Sequence, residues 1–387
     1  MPRRRLHAPE AQAVTFVELF FDLVFVFAVT QVTALTARHL NWSGVARSVL
    51  LFWLIWWAWT QFTWTLNPAD TEHTVVRAVT LVATAVAFMM AASVTLAFGD
   101  DVLWFAVPYV LVRLLGLGLQ VRVDAEAATD DEGIYWWIGL SMIGLALVLV
   151  GSFVDTPARS WIWLLAVAGD LIAAASGGNR HQWELDSAHF AERHGLFVII
   201  ALGESLIGAA LAVSSDPRTA ELVTDVVAAL AVACLLWWTY FGWLKGALER
   251  GLAGTPVDRL GRVGRDAFSL GHFPLVCGII GFAVAVEEIL RHPAAVPSAE
   301  VTAALGVGTV LFVGFSAFAV WRACGDVLAP RLAILALTVG VLVLVSSWQP
   351  AWQFTAVAIG LFAIVLVEGN GPARVEVSSE ASGPSRP

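Results

Sequence analysis

The 387-residue sequence predicts an all-α polytopic membrane protein of about twelve transmembrane helices, built as two parallel six-helix repeats. Three observations predict it. Apolar residues make up 58% of the chain and charged residues only 14%, with a mean hydropathy of +0.77, outside the range of soluble domains. The apolar residues fall into runs of roughly 20, the length a helix needs to cross a bilayer. The pattern also occurs twice in the same order. FVELFFDLVFVFAVTQVT (16–33) opens the first half and HFAERHGLFVIIALGESLI (189–207) the second, and IWWAWTQF (55–62) and LWWTYFGW (236–243) follow them.

Taken in order, the runs lie near 16–38, 43–66, 73–98, 102–122, 133–154 and 159–178, then 189–213, 221–245, 265–290, 301–322, 330–347 and 351–368. Turn formers separate them: Asn67-Pro68, Gly99-Asp100-Asp101, Asp155-Thr156-Pro157, Asp216-Pro217 and Gln349-Pro350. The expected organisation is an N-terminal segment 1–15, a first repeat 16–178, a linker 179–188, a second repeat 189–368 and a polar, disordered tail 369–387. Glu18 and Asp22 inside the first run, with no small-residue cleavage site after it, argue that it stays as a span.

Arginine and lysine placement sets orientation. With both termini cytoplasmic, the outer side keeps only Arg38, Arg47, Arg159, Arg218 and Arg291, and sixteen other Arg and Lys residues fall inside. Six spans per half then make the repeats parallel, about an axis along the membrane normal. An offset of 173 places Ala28 on Ala201 and Gln31 on Glu204, and one of 181 places Trp56 and Trp57 on Trp237 and Trp238. Most of the acids behind the net charge of −9 lie in loops and tails, and no basic surface suited to nucleic acid stands out. Cys234, Cys277 and Cys324 are scattered singly and read as small core residues.

Charges inside a bilayer are costly, so they lead the candidate list. Glu18 and Asp22, four apart, share a helix face near the cytoplasmic entrance. They read either as the mouth of a pathway or as an anchor paired with an arginine. Glu204 sits roughly 22 Å beyond His189 on helical rise, deep in the hydrocarbon, with Arg193 on its face as a charge partner. Arg113 and Asp170 lie at similar depths and read as an intramembrane pair. His272, before Pro274, reads as a satisfied core histidine or a titrating group. RHQWELDSAHFAERH (180–194) lacks zinc-ligand spacing and reads as a hydrogen-bond cluster linking the halves. The stretch from Gly246 to Gly264 reads as an arginine-rich linker that meets anionic lipid. No phosphate-binding glycine loop or nucleophile elbow is present, which argues against primary active transport by this chain alone.

The two opening motifs and the twelve-span layout resemble the bacterial low temperature requirement protein A (LtrA) family, a family named for a growth phenotype, over nearly the whole span region. That resemblance implies a multi-pass protein of the bacterial cytoplasmic membrane. The first helix alone also resembles the Phe-Ser-Asp helix of endolysosomal potassium channels and their six-span bacterial relatives, through Phe21-Asp22, Phe25, Ala28 and Thr30. This second resemblance implies a pore-lining first helix, with Asp22 organising its cytoplasmic end and Val26, Val29 or Thr33 facing a pore. Phe21 stands where that family has serine, and the second half has Gly195 at the register of Asp22.

These readings together predict a channel or secondary transporter for an ion or small solute, with Glu18, Asp22, Arg193 and Glu204 along the path. Two alternatives remain: an intramembrane enzyme acting on lipid or a lipid-linked substrate through Glu204, His272 and Asp170, and a helper subunit without a pathway. Membrane lipid and a monovalent cation or proton are the expected partners, and a homodimer is compatible. No cofactor and no metal are expected.

Overall fold

The computed structural model describes residues 6–7, 13–126, 132–180, 185–215, 219–293 and 295–369. The tail expected to be disordered lies, beyond residue 369, outside the described residues, as do residues 1–5 and 181–184. Within them the chain is all-α. Its helices are α1 Phe16–Arg38, α2 Trp42–Leu66, α3 Thr74–Ala92, α4 Leu103–Glu126, α5 Glu132–Gly151 and α6 Ala158–Arg180. Then follow α7 Ser187–Ser215, α8 Ala220–Ala253, α9 Val257–Arg291, α10 Ala299–Cys324, α11 Ala329–Leu344 and α12 Pro350–Gly369.

Among the described residues, nine of these helices are long and apolar enough to cross a membrane; α2, α5 and α11 are not among them. α11 has only 16 residues, and α2 is long but rich in Trp and carries Thr60, Gln61, Thr63 and Thr65, which lowers its hydropathy. Local signals start the helices. Asn41 accepts from the Gly44 N–H at 3.0 Å at the head of α2, and Thr219 from the Leu222 N–H at 3.2 Å at the head of α8. Gly325, at φ 78°, ends α10 in the left-handed conformation that glycine adopts without a Cβ penalty.

Two helices are not uniformly α-helical. α8 passes through a π-helical turn at Tyr240–Leu244, and α9 through one at Gly264–Leu270. The stretch expected as a linker from Gly246 to Gly264 is mostly helix, broken only around Gly254–Pro256. Its apolar residues explain the difference: Leu248, Leu252 and Val263 are buried, so the segment carries an amphipathic face that packs.

α1 packs on α2 and α3, α3 on α4, α4 on α2 and α5, α5 on α6, and α6 on α2. α7 packs on α8 and α9, α9 on α10, α10 on α8 and α11, α11 on α12, and α12 on α8. The halves meet where α1 lies against α7 and α9, and where α6 meets the start of α9. The α9–α10 crossing is the closest packed. A Cβ on Gly278 would stand 2.6 Å from the Gly308 carbonyl oxygen, and one on Gly308 2.7 Å from that of Gly278. Small residues let backbones touch where no hydrophobic effect drives helices together.

The exterior is apolar, with Phe16, Leu23, Trp104, Ile143, Trp161, Leu211 and Leu337 outward, and the interior holds Arg113, Arg193, Arg331, Gln61 and Gln353. That is the arrangement of a membrane protein, whose outer solvent is hydrocarbon. The same solvent accounts for a correction. Cys234 and Cys324 are exposed rather than core residues; for Cys234, within the apolar run of α8, a small side chain loses nothing by facing lipid. The two Trp-Trp pairs also differ in environment: Trp56 and Trp57 are buried, whereas Trp237 and Trp238 are exposed.

Candidate functional site

The polar interior concentrates where α1 meets α7. Glu18 lies in the first turn of α1, where its carboxylate accepts from the Thr15 N–H and hydroxyl, both at 2.9 Å. One turn on, Asp22 faces the same way. Arg193 of α7 reaches both. It donates from Nη1 to Glu18 Oε1 at 2.7 Å, from Nη2 to Asp22 Oδ1 at 2.6 Å and from Nε to Asp22 Oδ2 at 3.1 Å. The Trp59 indole of α2 donates to Asp22 Oδ1 at 2.8 Å, and the Arg193 guanidinium lies 5.9 Å from the Trp59 ring centre.

His189, one turn before Arg193, closes the cluster, with Nε2 lying 3.1 Å from Glu18 Oε1. Asn67 fixes its tautomer. The Asn67 side-chain oxygen accepts from the Asp186 N–H at 2.8 Å, so its amide nitrogen donates to His189 Nδ1 at 3.1 Å. Nε2 therefore carries the proton and donates to Glu18. Glu18, Arg193 and His189 are sealed from solvent, and Asp22 nearly so. The cluster thus sets two carboxyl groups against one guanidinium.

The contacts between α1 and α7 rise together along both chains: Glu18 with His189 and Arg193, Asp22 with Arg193, then Thr30 with Glu204. The two helices therefore run parallel. Glu204 stands apart from Arg193, which is engaged by the α1 carboxylates. Its carboxylate, almost fully buried, accepts from the Thr30 hydroxyl at 2.6 Å. No cation pairs with it among the described residues.

Arg113 of α4 and Asp170 of α6 form a buried pair, Nη2 to Oδ1 at 3.0 Å and Nη1 to Oδ2 at 3.3 Å. Tyr109 accepts from Arg113 at 2.9 Å and Gln61 of α2 accepts from its Nε at 2.5 Å, while the Gln61 amide donates to the Arg113 carbonyl at 3.1 Å. His272 sits behind the wide turn of α9, its Nδ1 donating to the Ala267 carbonyl at 3.0 Å and its Nε2 accepting from the Tyr240 hydroxyl at 2.8 Å. Tyr240 opens the other wide turn, so the two π-helical turns meet through this bond. Trp56 and Trp64 of α2 donate to the backbone oxygen and hydroxyl of Ser269, both at 2.8 Å, pinning the first half to the α9 turn.

The structure thus gathers Glu18, Asp22 and Arg193 into one cluster, joins Arg113 to Asp170, and keeps Glu204 and His272 separate. Among the described residues, no three His, Cys, Asp or Glu side chains are placed to hold a metal. Sequence reasoning missed Trp59 and Asn67 as partners, and it did not single out Arg331 as a buried group. Arg331 is buried at the head of α11, held by Glu368 at 2.7 Å and by the Ser316 hydroxyl. The available signal was the placement of Arg331 and Glu368 at matching ends of consecutive apolar runs.

The profile of the bacterial low temperature requirement A protein (LtrA) family matches residues 13–366. An uncharacterized protein of Rhizobium meliloti (strain 1021) is 28% identical over 311 residues, covering 77% of this chain and 75% of that one. No solved structure matches. The match runs from before α1 into the last turn of α12, including both charge-bearing helices of the central cluster, and on it the chain belongs to the bacterial low temperature requirement A protein (LtrA) family.

Proposed function

We propose that this chain moves a small cation or a proton across the bacterial cytoplasmic membrane, along the seam between α1 and α7. The observation that carries the reading is Glu204, a buried carboxylate within an apolar helix that accepts from the Thr30 hydroxyl and meets no cation among the described residues. A buried carboxylate without a countercharge costs several kcal/mol, roughly, unless it takes up a proton or a cation. Exchange of either at Glu204 is the elementary step of transport. The Glu18–Asp22–Arg193 cluster, with two carboxyl groups to one guanidinium, places further acidic groups at the other end of the same seam.

The architecture that goes with this reading is a twelve-span protein of two parallel six-helix repeats with cytoplasmic termini. It draws support from the pairings of the second half. α7 on α8 and α9, α9 on α10, α10 on α8 and α11, α11 on α12 and α12 on α8 mirror those of α1 to α6, helix for helix. The contacts between α1 and α7, at sequence separations of 171, 174 and 175, fall near the offset of the sequence repeat. α1 and α7 then lie beside the repeat axis, where transporters of this kind bind their cargo. The dry Arg193 clamp is the closed inner gate, and conduction requires its carboxylates to be released in turn.

Cation flux into proteoliposomes tests the reading. A potassium gradient with a pH-sensitive dye inside separates proton coupling from passive conduction. Loss of flux in Glu204→Gln, in protein that stays folded, supports a path past Glu204. Undiminished flux in that variant, or none in the wild type over several monovalent cations, contradicts it.

A further inference from the structure

A large cavity lies away from the α1–α7 seam. It opens between the last turns of α8, the start of α9 and the ends of α10, α11 and α12, with a volume of about 1590 Å³. Lys245, just before it on α8, packs against Gly195 of α7, so the cavity sits at the same end of the bundle as the Arg193 cluster. Five arginines line it against three acids. Two of the arginines are already held: Arg331 by Glu368 at the floor, and Arg322 by Asp266 at one wall.

The other three, Arg250, Arg259 and Arg262, stand at the exposed rim. Arg250 and Arg262 have no acidic partner among the described residues, and Arg259 meets only the exposed Asp258, at 3.9 Å. Behind the rim the wall turns apolar, through Val320, Ile334, Ile364 and Val367. Two guanidinium forks without an acidic partner among the described residues, and a third held only by an exposed aspartate at 3.9 Å, stand above an apolar cleft and match a phosphate oxygen cluster carried on a hydrocarbon chain. Basic pockets between membrane helices select such groups electrostatically.

We propose that this cavity is a binding site for a phosphate ester of net negative charge, seating the phosphate on Arg250, Arg259 and Arg262 and an attached acyl chain along the apolar wall. The site stands independently of the transport reading, because none of its rim residues touches the α1–α7 cluster. It also gives the junction of α8 and α9 a purpose beyond connection: the end of α8 carries Arg250, and the start of α9 carries Arg259 and Arg262.

Native mass spectrometry of the full-length, detergent-solubilised chain tests it, with phosphatidylglycerol and phosphatidylcholine as probes and inorganic phosphate as competitor. Phosphatidylglycerol is expected to be retained at least about tenfold more tightly than phosphatidylcholine. The triple variant R250Q/R259Q/R262Q, whose substituted side chains are exposed, is expected to lose that preference while unfolding at an unchanged temperature. The control R38Q/R47Q keeps it. Displacement of the lipid by millimolar phosphate assigns the binding to the headgroup phosphate alone; resistance to displacement assigns it to the lipid as a whole, chain included. Equal retention of the two lipids, or an unchanged preference in the triple variant, overturns the proposal. A second reading keeps the test independent of lipid counting. Cys324 lines the same cavity and is exposed, so phosphatidylglycerol is expected to slow its reaction with a soluble maleimide in a Cys234→Ala background; an unaltered rate counts against the site.

Discussion

Arg193 of α7 grips Asp22 of α1 with two parallel hydrogen bonds, Nη2 to Oδ1 at 2.6 Å and Nε to Oδ2 at 3.1 Å. This fork joins the two halves of the chain across a dry interface, and Nη1 is left free to hold Glu18. A lysine at 193 offers one point charge in place of a planar fork, so it cannot serve both carboxylates in this geometry.

Removal of the guanidinium is therefore severe. Arg193→Leu leaves two buried carboxylates without their cation and is expected to cost about 3–5 kcal/mol. Arg193→Lys falls between that variant and the wild type. Thermal unfolding in detergent measures both, and an unchanged midpoint in Arg193→Leu contradicts the clamp.

Glu18 and His189 are coupled through a contact of 3.1 Å in the same cluster. Glu18→Gln combined with His189→Ala is expected to be non-additive, with a coupling of roughly 0.5–3 kcal/mol in a double-mutant cycle. Strict additivity would place His189 outside the network.

The Arg113–Asp170 pair gives a sharper contrast. Asp170→Asn strands a buried guanidinium and is expected to destabilise by about 3–5 kcal/mol. The double replacement Arg113→Leu with Asp170→Leu removes both charges and is expected to be milder than either single loss. A double variant worse than Asp170→Asn would show that Gln61 and Tyr109 need the guanidinium more than Asp170 does.

Tyr240→Phe removes the donor to His272 Nε2 and leaves a buried acceptor unmade, at a cost of about 1–3 kcal/mol. It also cuts the bond between the two π-helical turns. Hydrogen exchange is expected to accelerate at Tyr240–Leu244 and Gly264–Leu270 together. Acceleration at one turn alone would mean that the two are held independently.

Helix placement was legible in the sequence because bilayer thickness imposes one length on every apolar run and Gly, Pro and Asp punctuate the gaps. α1 fell on its expected boundaries, Phe16–Arg38, for that reason. The stretch after Lys245 misled because its arginines read as loop, whereas Leu248 and Leu252 gave it a face to bury. In the candidate site, the charged residues announced themselves by their cost in hydrocarbon, and the spacing of Glu18 and Asp22 gave their shared face. Their partners were hidden, since pairing across helices depends on rotation and crossing angle, which hydropathy does not encode. Arg193 shares a helical face with Glu204 in sequence, yet its long side chain reaches across to α1 instead. Trp59 was hidden for another reason: an indole among many tryptophans carries no sign that its N–H is committed to a carboxylate.

Access of water to position 204 tests the central claim most directly. A Glu204→Cys variant, with Cys234, Cys277 and Cys324 replaced by alanine, can be challenged in sealed vesicles with a charged, membrane-impermeant thiol reagent from each side. Glu300→Cys serves as the reactive control, since Glu300 is exposed. The account predicts modification at 204 from at least one side, slowed by the transported cation. A position 204 that stays inert from both sides while the control reacts would contradict a pathway along the α1–α7 seam.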